Sequence, residues 1–239
     1  MKRVAVLSYH KVGPPAPGGW ETWFYIPEAI FAGQLAALRD GGWQPVDLTT
    51  FVEGLAEPEG LPERTALITF DDGQRSVRQI AVPVLERFGY PAVLFMPTDF
   101  VGGTNTFDSE PDEPLCDWDD LRELLRRGVA VQSHGVSHRP FSELAPPEHA
   151  LELERSKAAL EAELEQAVEL FAYPYGDDAG LPTELREALV RTGYRAAFGY
   201  GGGTLSFPVT DPYRLERVAM GPDTDLEAVL ESGGSDVGS

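Results

Sequence analysis

Short apolar, β-branched runs alternate with amphipathic segments over nearly the whole chain, and this alternation restricts the fold more than any other feature. The pattern predicts strands over 4–8, 65–70, 92–96, 129–133, 169–173, 196–199 and 214–220. It predicts helices over 27–39, 75–88, 117–127, 147–167, 183–192 and 225–231. Glycines after "RF" and "RR", and Pro182 near a first turn, mark helix ends. Repeated β-α alternation implies a parallel sheet with outer helices, either doubly wound or closed into a barrel. No internal repeat or long linker divides the 239 residues. One domain over 1–231 is expected, with "SGGSDVGS" (232–239) as a flexible tail.

Composition narrows the function classes. The formal net charge of −20 disfavours nucleic acid, anionic lipid and polyanionic substrates. No apolar run reaches the length of a membrane span, so membrane insertion is not expected. The opening "MKRVAVLSYHKV" is interrupted by His10 and Lys11 and lacks a small-residue cleavage site, so it reads as a first strand and points to a cytoplasmic protein. The single cysteine, Cys116, rules out an intrachain disulfide. Its neighbours in "EPLCDWDD" are acidic and would raise a thiol pKa, so it is not expected to be a nucleophile.

The stretch "LITFDDGQ" (67–74) ends an apolar strand in two adjacent carboxylates, Asp71 and Asp72. Like charges at a core edge are costly unless something compensates them, although Asp-Gly is also an ordinary turn signal. His10 ends the first strand, His134 ends another with His138 four residues on, and "FAYPYG" (171–176) ends a fifth. In a parallel β/α array these ends share one rim, where active sites are built. A lone core histidine, or HxxxH by itself, would say little. The fourth histidine, His149, sits in a charged helical stretch and reads as solvated. A zinc-protease helix would need Glu after the first His, where Gly135 stands. Two imidazoles and a strand-end carboxylate together make an open three-ligand metal site. A divalent metal offsets the carboxylate repulsion and leaves the second Asp free as general base. Spacing does not say which aspartate takes which role.

The motifs "TFDDG", "SHGVSH" and "FAYPYG", in that order, resemble the polysaccharide deacetylase (NodB homology) family, carbohydrate esterase family 4. "SYHKV" resembles the YHxV branch that includes poly-N-acetylglucosamine deacetylases; "FVGGTNTFD", "CDWDDLREL" and "YRLERV" add matching texture. The resemblance runs over about residues 1–220. It implies a distorted (β/α) barrel, an N-acetylated carbohydrate substrate, and a divalent metal. Zinc suits the ligands, and cobalt, nickel, iron or manganese are also accepted. It further implies Asp72, His134 and His138 as metal ligands and Asp71 as base. His10 would be the general acid, and the Tyr175 backbone N–H an oxyanion donor. Two positions depart from the family pattern. Ala172 replaces an arginine that orients the base, which leaves the partner of Asp71 unassigned. Gly135 replaces a Ser or Thr.

Other readings are hydrolysis of a different C–N amide, a non-haem iron oxygenase on the same triad, and an inactive carbohydrate-binding protein. The second carboxylate argues against the oxygenase, and the presence of Asp71 and His10 against the inactive protein. Trp20, Trp23, Phe24, Tyr25 and Phe107 lie in the long loops and either stack on sugars or anchor those loops.

Overall fold

The computed structural model describes residues 1–109 and 112–231; the expected tail at 232–239 lies outside them. The chain runs β1 (Lys2–Tyr9), β2 (Lys11–Val12), β3 (Tyr25–Ile26), α1 (Glu28–Asp40), β4 (Gln44–Pro45), α2 (Leu48–Ala56), β5 (Arg64–Phe70), α3 (Val82–Phe88), β6 (Ala92–Met96) and α4 (Trp118–Arg126). It continues through β7 (Val129–Ser133), α5 (Pro146–Leu164), β8 (Leu170–Ala172), α6 (Thr183–Thr192), β9 (Ala196–Phe198), β10 (Leu205–Phe207), β11 (Val218–Ala219) and α7 (Leu226–Glu231). The strand order is β10-β1-β5-β6-β7-β8-β9, with β11 also on β1 and β4 also on β5. Every pairing in this sheet is parallel except β1 with β10.

Period-2 alternation sends successive side chains to two different cores. Val4 and Val6 join Leu67, Phe95, Phe198 and Phe207 in a cluster built mainly from strands and α2. Ala5 and Leu7 join Ile68 and Leu94 in a second cluster that takes in the outer helices. The strands are therefore apolar on both faces, as helix-covered parallel sheets require. Segment 212–220 joins the two ends of the curl. Leu215 bonds Ala197 and Gly199 beside β9, while Val218 pairs with Leu7 and the Met220 N–H donates to the Ser8 carbonyl. The result is the distorted (β/α) barrel that the alternation allows.

The seven predicted strands and six predicted helices are all present; 92–96, 129–133 and 183–192 keep their expected bounds and the others have shifted ends. The strand expected over 169–173 is Leu170–Ala172, and that over 214–220 is paired as β11 only at Val218–Ala219. The helix expected over 75–88 is a π-turn at Val77–Ala81 that leads into α3. Helix α2 was not predicted. Thr49, Thr50 and Gly54 weaken its helical signal, but the Asp47 carboxylate caps it by accepting from the Thr50 N–H. No helix among the described residues is long and apolar enough to cross a membrane.

Candidate active site

The C-terminal ends of the parallel strands meet at one rim around a cavity of about 320 Å³, lined among others by His10, Asp71, Asp72, His134, His138 and Tyr175. The Asp71 N–H extends the β1–β5 ladder by donating to the Tyr9 carbonyl at 2.9 Å. Asp72 and Gly73 then take left-handed backbone at φ 67° and 74° and reverse the chain. A Cβ on Gly73 would lie 2.0 Å from the Met96 sulfur and would have to displace it, and the left-handed backbone also favours glycine there. The reversal separates the two carboxylates, which face different partners.

Asp71 is held by Arg217. The guanidinium donates from both terminal nitrogens, 2.7 Å to each carboxylate oxygen. The Ser8 hydroxyl adds a contact at 3.3 Å, and His10 Nε2 lies 3.9 Å away. Burial pushes the Asp71 pKa up, but Arg217 together with His134 and His10 more than reverses this and holds the carboxyl below its usual range. Sequence reasoning left this partner unassigned. The available signal was a cation inside the apolar run of "LERVAM": Arg217 is fully buried, and a buried charge on a strand demands a counter-charge.

Asp72 turns the other way. His138 Nε2 lies 3.1 Å and His134 Nε2 3.5 Å from its Oδ1, and one ligand atom from each of the three residues lies within 4.8 Å of the others. All three are buried. The His134 Nδ1–H donates to the Ala172 carbonyl at 2.7 Å, so in the neutral ring Nε2 carries a lone pair aimed at a carboxylate oxygen. Such a contact is repulsive unless a cation lies between the two. Burial pulls the His134 pKa down, and the neighbouring Asp72 and Asp71 reverse this, raising it. Buried and bordered by acid, this donor set of one oxygen and two nitrogens fits a divalent metal.

His10 packs against Phe24, with ring centroids at 4.6 Å, and edge-on to Tyr200 at 5.5 Å. Burial holds its imidazole below the ordinary value despite the raising influence of Asp72 and Asp71. Tyr175 has left-handed backbone at φ 57°, which turns the segment after Pro174 over the cavity. Its ring meets His138 edge-on at 4.8 Å, and Phe107 stacks on the same imidazole at 3.9 Å. Phe24 thus lines the cavity, Phe107 backs His138, and Tyr25 is buried in β3. Trp20 is exposed, and Trp23 is anchored by its indole N–H on Asp223. His149 departs from expectation. It is buried, and its Nε2 lies 2.8 Å from the Phe141 carbonyl because α5 turns that residue toward the barrel. Cys116 is buried too, and burial with Asp120 nearby pushes its thiol up to about 12.

Residues 59–197 match the family model for polysaccharide deacetylase. The chain is 25% identical over 220 residues to Bacillus subtilis (strain 168) YxkH, whose name places it in the same family; the match covers 92% of this chain and 72% of that protein. It is 24% identical over 250 residues to the poly-β-1,6-N-acetyl-D-glucosamine N-deacetylase of Escherichia coli (strain K12), covering 90% of this chain and 36% of that one. Among solved structures it resembles Streptococcus pyogenes deacetylase PplD in complex with acetate (TM-score 0.80, 20% identity, 95% of this chain and 96% of that one). It also resembles IcaB from Ammonifex degensii (TM-score 0.77, 27% identity, 96% of each chain). With more than half its residues inside the matched model, the chain belongs to the polysaccharide deacetylase family of hydrolases.

Proposed function

We propose that residues 1–231 form one metal-dependent deacetylase domain that removes the acetyl group from an N-acetylated amino sugar within a polysaccharide or glycoconjugate. The observation that carries this reading is the division of labour between adjacent carboxylates. Asp72 faces two imidazoles, whereas Asp71 faces Arg217 and the His10 side of the cavity. A divalent metal held by Asp72, His134 and His138, with zinc well suited, would polarise the acetyl carbonyl and make a water more acidic.

Asp71 is the general base. It takes a proton as water adds to the carbonyl carbon, and Arg217 keeps it ionised and oriented for that step. The Tyr175 backbone N–H supports the oxygen on which negative charge develops. His10 gives its proton to the leaving nitrogen as the C–N bond breaks, which yields acetate and a free amine. His10 Nε2 lies 3.9 Å from Asp71, so base and acid share one reaction volume. The name of the Escherichia coli relative supports an N-acetylglucosamine polymer as substrate.

The test is acetate release from N-acetylglucosamine oligomers and small N-acetyl sugars by metal-stripped protein titrated with zinc, cobalt, nickel and manganese. Turnover should return with metal. It should fall at least a hundredfold in Asp71→Asn and in His10→Ala, within the range for loss of a general base or acid, about 10²–10⁴. Tight metal uptake without turnover on any N-acetyl sugar would overturn the substrate assignment and favour another C–N amide.

A further inference from the structure

The loop that carries the second imidazole is held from behind by a carboxylate outside the metal cluster. His138 has left-handed backbone at φ 54°, a conformation that a non-glycine residue keeps only when its surroundings over-determine it. Its Nδ1 is buried without a hydrogen-bond partner, whereas His134 is fixed by the Ala172 carbonyl. The usual device for orienting a ligand histidine is therefore missing at His138.

Glu152, on α5, fills that gap from one residue upstream. Its Oε2 accepts from the N–H of Val136 at 2.6 Å and of Ser137 at 3.0 Å, and its Oε1 accepts from the Ser137 hydroxyl at 2.7 Å. The residue is 8% exposed. Three donors, all from 136–137, converge on one buried carboxylate. A Cβ on Gly135 would come within 2.9 Å of Glu152 Oε2, so the carboxylate occupies the space that a side chain at 135 would need. One turn along α5, the Ser156 hydroxyl meets Ser133 Oγ at 2.7 Å, and Ser133 Oγ accepts from the Gly135 N–H. The inner face of α5 thus grips the 133–137 segment at both ends.

We infer that Glu152 is a positioning residue for the metal site: its carboxylate sets the backbone from which His138 reaches the ion. The inference rests on the metal assignment of the preceding subsection. It is tested by the affinity of metal-stripped protein for Zn²⁺, measured by competition with a chromophoric chelator, and by the visible spectrum of the Co²⁺-loaded form. The proteins compared are wild type, Glu152→Gln, Glu152→Ala and Ser137→Ala. Loss of an outer partner of a metal ligand typically costs about 10–100-fold in affinity. Glu152→Ala should show a loss of that order together with an altered Co²⁺ spectrum. Glu152→Gln, which keeps the volume and one acceptor oxygen, should lose less, and Ser137→Ala least. If Glu152→Ala does not fold, Glu152→Gln against wild type carries the comparison. Wild-type affinity and spectrum in the Glu152 variants, even with a lowered melting temperature, would reduce Glu152 to a structural residue and overturn the inference. A wild-type chain that takes up no Zn²⁺ would instead overturn the metal assignment and this inference with it.

Discussion

Asp71 and Arg217 show what a single side chain costs once it leaves water. Both are buried, and their bidentate contact leaves neither charge unpaired. Removing one member of such a pair strands the other, at about 3–5 kcal/mol. Arg217→Met should therefore lower the unfolding free energy by roughly that amount in urea titration. Adding Asp71→Asn to it should recover about 2 kcal/mol, because no uncompensated charge is left to bury. A double variant no more stable than Arg217→Met would count against charge pairing as the source of the loss. The motif residues were legible in the sequence because they sit at strand ends in a fixed order. Arg217 was not, since its partner lies 146 positions away and only the closure of the barrel brings them together. His149 misled for a related reason: a charged helix has one buried face, and periodicity alone did not reveal that His149, Glu152 and Ser156 lie on it.

At the level of elements, long periodic segments were readable and short ones were not. Strands β2, β3 and β4 have two residues each, too few for alternation to register. The π-turn before α3 kept its helical pattern in sequence while changing its hydrogen bonding. Helix α4, expected from 117, starts at Trp118 behind Asp117. The Asp117 carboxylate accepts from the Asp120 N–H at 2.8 Å, and Asp120 answers from the Asp117 N–H at 3.2 Å, a full capping box. Arg75 ties the same corner by donating to Asp120 at 2.8 Å. Cys116 lies immediately before this cap, buried, with its thiol pushed up by burial to about 12. In the native protein it should resist alkylation at pH 8 unless the corner opens. Losing an N-cap costs about 1 kcal/mol. If opening is local, Asp117→Ala should then raise the native-state alkylation rate of Cys116 about fivefold. Asp117→Ser, which can still cap, should stay near wild type. Equal rates in all three proteins would mean that the Asp117 cap does not limit access to Cys116.

For the whole molecule, the β-α alternation left open the choice between an open doubly wound sheet and a closed barrel. Segment 212–220 decides it by bonding β9 on one side and β1 on the other, and the same segment delivers Arg217 to the rim. Closure and the Asp71–Arg217 pair thus depend on one stretch, whose strand was expected over 214–220 but whose partners on β1 and at Asp71 lie far away in sequence. The charge of −20 is a second global property, and its consequence differs between substrate and product. An N-acetylated sugar is neutral at the acetyl nitrogen; after hydrolysis that nitrogen is an ammonium. Acidic proteins attract cations through a field that salt screens over about 10 Å at 0.1 M. On the proposed reaction, the KM for a fully acetylated oligomer should change little between low and moderate salt. Inhibition by the fully deacetylated oligomer should be strong at low salt and weaken as salt rises. Steady-state rates at several ionic strengths, with and without added deacetylated oligomer, separate the two effects. Salt-independent inhibition would mean that the product is held by short-range contacts in the cavity. The field of the whole surface would then have no part in product release.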